Sequence, residues 1–373
     1  MKSSVSDDFC FASDNGKTQS VTSNHALHLV TIDPCTAPRW QQLVERQQSS
    51  VFHAPAWLHV LADTYGWDIG AHVVLDSREQ AIAGIPFVGI TDMTGKRIVT
   101  LPFSDLCDPI TPDSETWHSL STHLLREQCP VLVRCLHNMV PLTDTRFTVA
   151  KQARWHGLDL RPDSEAQLRR LPNSCRWRIR RAQREGVTIR RAEREEEMRE
   201  FFTLHRGIRK QKYRLLAQPY GFFANIWRHF LALSQGVLFL AYYQEKIIGS
   251  VVFLVWKDTL YYKFSATDPA YLHLGMSELL IWEGIQYGKA AGLTALDFGL
   301  SDWDQEGLIS FKRKFATEEK TISFLRHVPE HLPLPYEQQA RSLLPQLTEL
   351  FTDTTVPDHI TDRAGEVLYR FFA

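Results

Sequence analysis

The sequence predicts an α+β protein of two successive units, each a mixed, mostly antiparallel sheet flanked by helices. Three observations point there. The chain has 373 residues, long for one average domain and natural for two. Residues 237–266 read as three strands joined by tight polar turns, followed by a loop, a helix and a further strand. An earlier stretch, 54–136, has the same rhythm of helix, meander, loop, helix and strand.

Taken in order, residues 1–24 are rich in Ser, Asp, Asn and Thr and read as a disordered tail. An apolar alternation (Leu27, Leu29, Ile32) opens the first unit, 25–155. Within it a helix at 54–65 places Ala54, Trp57, Leu58 and Leu61 at helical spacing. Strands at 68–75, 80–90 and 96–101 follow, then the loop LPFSDLCDPI, a helix near 113–128 and the apolar run VLVRCL.

The second unit, 156–330, opens on a helix between Pro172-Asn173-Ser174 and Gly186, residues suited to starting and stopping one. A strand at 187–192 leads to a helix at 194–211, acidic first and basic last, which complements its dipole. An aromatic helix at 221–235 precedes the meander 237–243, 247–256 and 259–266. A helix at 276–291, a strand at 294–298, a helix at 307–315 and a strand at 320–326 complete the unit, and 331–373 reads as a helical tail.

Composition excludes several classes. With 44% apolar and 23% charged residues the chain is globular, not a disordered, fibrous or disulfide-framed protein. The longest apolar stretch, Ile247 to Trp256, is too short to cross a bilayer. The start, MKSSVSDDFC, lacks a signal-peptide core, so a cytoplasmic location is expected. Six scattered cysteines form no CxxC pair and the histidines have no metal-ligand spacing, so no metal is expected. Walker A, GxSxG and GxGxxG patterns are missing. The net charge of −1 hides an asymmetry: residues 151–214 hold 19 Lys and Arg against 9 Asp and Glu. An anionic partner is therefore compatible with the neutral total.

Several segments together carry a resemblance: RWRIRRAQREGV (176–187), LYYKFSATDPAY (260–271), ELLIWEGIQYGKAAGLTALDFGLS (278–301) and GLISFKRKF (307–315). FHAPAWLHVLADTYGW (52–67) and LPFSDLCDP (101–109) fit as well. The chain resembles, over roughly 25–330, the tandem GNAT acyltransferases related to the Fem aminoacyl- and acyl-transferases (the FemAB-related, BioF2-like branch). The resemblance implies two GNAT-like domains and transfer of an acyl or aminoacyl group onto an amine. It implies no permanently bound cofactor but a co-substrate, acyl-CoA or aminoacyl-tRNA. The acceptor would be a cell-envelope precursor, an amino sugar or a small metabolite, and tRNA a partner if it carries the donor.

Such a transfer needs a neutral amine, a destination for its proton and a cation or donor for the developing oxyanion. Phe311-Lys312 matches a Phe-Lys pair of the Fem pattern, which gives Lys312 the oxyanion and Phe311 the shaping of the cleft; on residues alone, Lys312 is also readable as one of three consecutive solvated cations. Asp297 ends a strand where a loop turns towards a helix, and it, Asp302 and Asp304 are candidate proton acceptors or plain loop carboxylates. Arg176, Arg180 and Arg184 recur every four residues and would fork onto phosphates, or form a solvated basic face paired with the acidic run 193–197. Arg209 and Tyr213 resemble a Fem Arg-xxx-Tyr pairing.

The phosphate loop of an ordinary GNAT domain reads Q/R-x-x-G-x-G/A; here Leu272-His-Leu-Gly275-Met-Ser277 keeps one glycine, leaving Gly275 and Ser277 as the candidates for cofactor binding. Tyr242, Tyr243, Tyr261 and Tyr262 alternate along strands, and Tyr262 is a candidate lining residue. Ser104 and Asp105 match a family PFSD motif and equally suit a turn. Two other readings stand beside acyl transfer from a small donor: a tRNA-dependent aminoacyltransferase, and a non-catalytic nucleic-acid-binding protein using the Arg strip.

Overall fold

The structure is a computed structural model and describes residues 28–330, 332 and 335–373. The tail expected over 1–24 lies outside the described residues. The chain runs β1 (His28–Ile32), α1 (Pro38–Arg46), α2 (Pro55–Tyr65), β2 (Ile69–Leu75), β3 (Ala81–Asp92), β4 (Gly95–Val99), α3 (Ser114–Leu125), β5 (Val131–Cys135) and β6 (Thr148–Asp159). It continues α4 (Ser164–Arg170), α5 (Asn173–Arg184), β7 (Thr188–Arg191), α6 (Glu196–Ile208), α7 (Tyr220–His229), β8 (Gly236–Tyr243), β9 (Lys246–Trp256) and β10 (Thr259–Thr267). Last come α8 (Met276–Ala290), β11 (Ala295–Asp302), α9 (Glu306–Arg313), β12 (Glu318–His327), α10 (Pro335–Phe351) and α11 (Asp358–Leu368).

All twelve strands form one sheet in the order β1-β2-β3-β4-β5-β12-β6-β11-β10-β9-β8-β7. Exchanging each strand of β1–β6 with its counterpart six places later reproduces this order in reverse. The pairing directions obey the same exchange: β4/β5 and β10/β11 are parallel, while β5/β12, β11/β6 and β12/β6 are antiparallel. Each half thus lends its last strand to the other. The α+β architecture of mostly antiparallel sheet and flanking helices is the expected one, with both halves joined into one sheet.

Local chemistry sets the elements. Asp113 and Asp163 accept the Thr116 and Ala166 N–H groups and so cap α3 and α4. Gly66, at φ +66°, ends α2 in the left-handed conformation that a Cβ disfavours. Three corrections to the sequence reading follow. β6 was not expected, because residues 148–152 are exposed and carry no apolar period. The helix expected to reach 211 leaves α-geometry at Arg209 for a π-turn through Tyr213. The aromatic helix stops at His229 and gives way to a 3₁₀ turn at Leu231–Leu233.

Apolar cores pack against the sheet. One core packs Trp40, Trp57, Phe222 and Phe223 beneath α1, α2, α6 and α7; another packs Leu260, Leu280, Phe298 and Phe315 beneath α5 and α8. Tyr261 belongs to the first and Tyr262 to the second, as alternation along a strand requires. Cys107, Cys129, Cys135 and Cys175 are buried free thiols.

Candidate active site

Strands β10 and β11 pair over three residues only, Thr259–Ala295, Leu260–Leu296 and Tyr261–Asp297. Just beyond, both are irregular: β10 bulges against β9 between Tyr262 and Phe264, and β11 shifts against β6 between Asp297 and Leu300. A bulge re-aims the side chains around it. Here Lys263 turns inward, and Gly299 takes φ +65°.

A buried charge cluster fills the gap. Lys312, near the end of α9, is 2% exposed and donates to the carbonyls of Leu300 at 2.7 Å and Gly299 at 3.2 Å. Asp297 Oδ1 accepts the Trp155 indole N–H at 2.8 Å and the Gly299 amide at 2.6 Å. Asp105, from the loop after β4, accepts Lys263 at 2.8 Å, and its carboxylate takes the space that a Cβ on Gly299 would need. Two carboxylates and two ammonium groups from both halves of the chain thereby converge.

Burial sets their protonation. It pushes the Asp297 carboxyl up to about 6, with the Asp105 charge adding to the rise and the Trp155 and Gly299 bonds opposing it. It pulls the Lys312 ammonium down to about 8, against the Asp105 and Asp297 charges that favour the cation. Near neutral pH the arrangement therefore holds a carboxylate able to take a proton beside an ammonium able to keep one.

Ser104 is buried next to Asp105, accepting the Trp57 indole N–H at 2.8 Å, so its hydroxyl fixes the loop. Phe311 is half-buried against Phe315 on the flank of α9. Tyr262 meets the Ser265 hydroxyl on the far face of β10, where burial pushes its phenol up to about 12. Tyr213 is exposed on the π-turn, and Arg209 donates to the Leu216 carbonyl at 2.6 Å.

The arginines of α5 are not brought to the cluster. Arg176 is tied to the Arg169 carbonyl and to Asn173, while Arg180 and Arg184 are exposed with no polar partner among the described residues. The acidic run 193–197 does not pair with them: Glu197 instead accepts the backbone N–H groups of Glu193 and Arg194. Gly275 stands at the start of α8 at φ +84°, and a Cβ there would lie 2.6 Å from the Arg178 carbonyl oxygen of α5. Ser277 lies in the first turn of α8 beside Glu278, whose buried carboxylate meets Lys314 at 2.9 Å and Arg178 at 3.6 Å.

Much of the basic excess is matched within the chain. Arg206 meets Asp358 at 3.0 Å and Asp362 at 2.9 Å, and buried Lys210 meets Asp358 at 2.9 Å, docking α11. Arg154 and Arg313 both reach Glu319, which they help hold at about 2. Sequence reasoning missed Lys263 and Trp155. A lone lysine inside the apolar strand TLYYKFSAT was the available signal for the first; for the Trp155 indole bond to Asp297, 142 residues away, there was none. Among the described residues no group of His, Cys, Asp and Glu could hold a metal ion, and no helix is long and apolar enough to cross a membrane.

Residues 169–313 match the family model for an acetyltransferase (GNAT) domain. No curated protein matches the chain by sequence. Among solved structures, a crystal structure of FemX shares the fold over 86% of this chain and 100% of its own, with TM-score 0.63 and 12% identity. L-PGS from Bacillus licheniformis matches over 84% of this chain and 97% of its own, with TM-score 0.53 and 16% identity. A tandem GNAT protein from the clavulanic acid biosynthesis pathway covers 82% and 100%, with TM-score 0.51 and 9% identity. Domain and architecture together define the class: this chain is an acyltransferase carrying a GNAT domain at 169–313, in a fold that FemX and a tandem GNAT protein share.

Proposed function

We propose that the enzyme moves an acyl or aminoacyl group onto the amine of a cell-envelope precursor, an amino sugar or a small metabolite, with Lys312 stabilising the oxyanion. One observation carries this reading: a buried ammonium held by two carbonyls where β10 and β11 part. Those carbonyls use two of its three N–H groups, leaving one for an oxygen that becomes negative. The acceptor ammonium gives a proton to Asp297, its nitrogen bonds the acyl carbon, and the bond to the leaving thiolate or alkoxide breaks. That leaving group departs with a second proton from the nitrogen, and Asp297 returns its proton to solvent. Asp105 and Lys263 hold the Gly299 turn in place. We also propose the division into units at 25–155 and 156–330, supported by the symmetry of the strand order although β6 runs through the boundary.

A second reading, an aminoacyl-tRNA donor, is favoured by α8. The Arg178 carbonyl fills the space over Gly275, and the Glu278 carboxylate occupies the turn where a pyrophosphate would be cradled. Arg180 and Arg184 then offer their exposed guanidiniums to an RNA backbone. The test presents amine acceptors with acyl-CoA and, separately, with aminoacyl-tRNA, with and without ribonuclease. Acylation abolished by ribonuclease selects the tRNA donor; acylation from CoA eliminates it. No transfer from either donor class contradicts the proposal.

A further inference from the structure

A cavity of about 860 Å³ opens along the seam of the two halves, on the opposite side of Asp297 from the parting strands. It is lined by Trp155, Tyr261 and Asp297, by residues 47–50 and His53, by the loop 106–112 and by the first residues of β10, β11 and β12. That volume suits a small-molecule ligand. None of the exposed Arg residues of α5 reaches it.

Charge gives the cavity its chemistry. Five carboxylates line it, Asp108, Asp159, Asp258, Asp297 and Glu318, against two cations, Lys257 and Arg161. Arg161 is paired with Asp159 at 2.9 Å, Glu318 is paired with Lys320 at 2.8 Å, and Lys257 donates one of its three N–H groups to the Gln47 carbonyl at 2.6 Å. His53 and His137 also line it, and burial lowers both below the usual histidine range, so they add no positive charge near neutral pH. Asp108, Asp258 and Asp297 then stand against Lys257 alone, so the lining keeps a net negative charge, which concentrates cations.

Asp297 is an independent pointer to a ligand. It is 6% exposed, both of its hydrogen bonds end on Oδ1, and among the described residues none reaches Oδ2. That oxygen is left to accept an N–H group from a ligand in the cavity that Asp297 lines.

We infer that this cavity is the acceptor site of the transfer proposed above, and that the acceptor is a cationic primary amine whose ammonium docks on Asp297. The donor then reaches the centre from the parted ends of β10 and β11, so the two substrates enter from opposite sides of the same carboxylate.

Calorimetric titration of the full chain with 1,5-diaminopentane, and with glutarate as an anion of similar length, tests the site with no donor present. The diamine is expected to bind and glutarate to give no heat. Glu318→Lys, an exposed position on the cavity wall, is expected to weaken the diamine by roughly tenfold, and Glu318→Gln by less. No diamine binding at millimolar concentration, equal binding of glutarate, or a Glu318→Lys protein of unchanged circular dichroism and unchanged diamine affinity overturns the inference. The inference rests on the transfer reading but fails separately from it: transfer to an amine that does not compete with the diamine removes the site and leaves the activity.

Discussion

Lys263 donates to Asp105 at 2.8 Å, joining the bulge of β10 to the loop that follows β4. Lys263 has only 5% of its side chain exposed and lies over the rings of Phe52 and Trp57, so the ammonium has little water to return to. The charge cluster is thus closed by one half of the chain upon the other. Its geometry depends on charges that lie 158 residues apart in sequence.

Removing one partner should strand the other. Lys263→Met is expected to cost on the order of 3 kcal/mol, because it leaves Asp105 beside Asp297 without its cation. Lys263→Met with Asp105→Asn should recover part of this loss. Urea denaturation of the four proteins in a double-mutant cycle measures the coupling, expected at about 1–3 kcal/mol.

Gly299 is fixed for two reasons: its φ of +65°, and the Asp105 carboxylate, which takes the space that a Cβ would need. Gly299→Ala should lower stability by about 1–2 kcal/mol through the backbone alone. It should also lower turnover by displacing Asp105. Combined with Asp105→Gly, the alanine should add little further loss of turnover, which steady-state kinetics of the pair would reveal.

The proposed mechanism needs Asp297 ionised and Lys312 protonated. The rate should therefore rise with pH through about 6 and fall through about 8, and Asp297→Asn should remove the acidic limb from the pH–rate profile. The sign for stability follows from the raised carboxyl. Its contribution is present at low pH and is lost as pH rises through about 6. The melting temperature of the wild type should accordingly fall relative to Asp297→Asn between about pH 4 and pH 6.

Strand exchange makes the halves interdependent. A chain ended before β12 would leave β5 and β6 as unpaired edges, and it should aggregate where the full chain stays dispersed. Light scattering of the two proteins after refolding is the check. The full chain should unfold in a single transition.

The meanders at 69–99 and 236–267 were legible because alternation and polar turns are local signals. So was Tyr261 facing away from Tyr262. β6 was not, since half of it lies exposed and its partners β11 and β12 come more than a hundred residues later. The site divides in the same way. Lys312, Asp297 and Asp105 could be chosen from the family-like motifs, but their convergence rests on two bulges and on Trp155 and Lys263 from distant strands. The +10 segment looked like a phosphate surface until α11 was seen to supply Asp358 and Asp362 to Arg206 and Lys210.

The central claim is that the Lys312 ammonium stabilises the charge that develops on the acyl oxygen. Single-turnover transfer by Lys312→Met, an uncharged side chain of similar length, tests it most directly. The expected result is a folded protein that binds donor within about threefold of wild type while the chemical step slows by roughly 10²–10³-fold. An unchanged chemical step, or a loss confined to donor binding, would contradict the account.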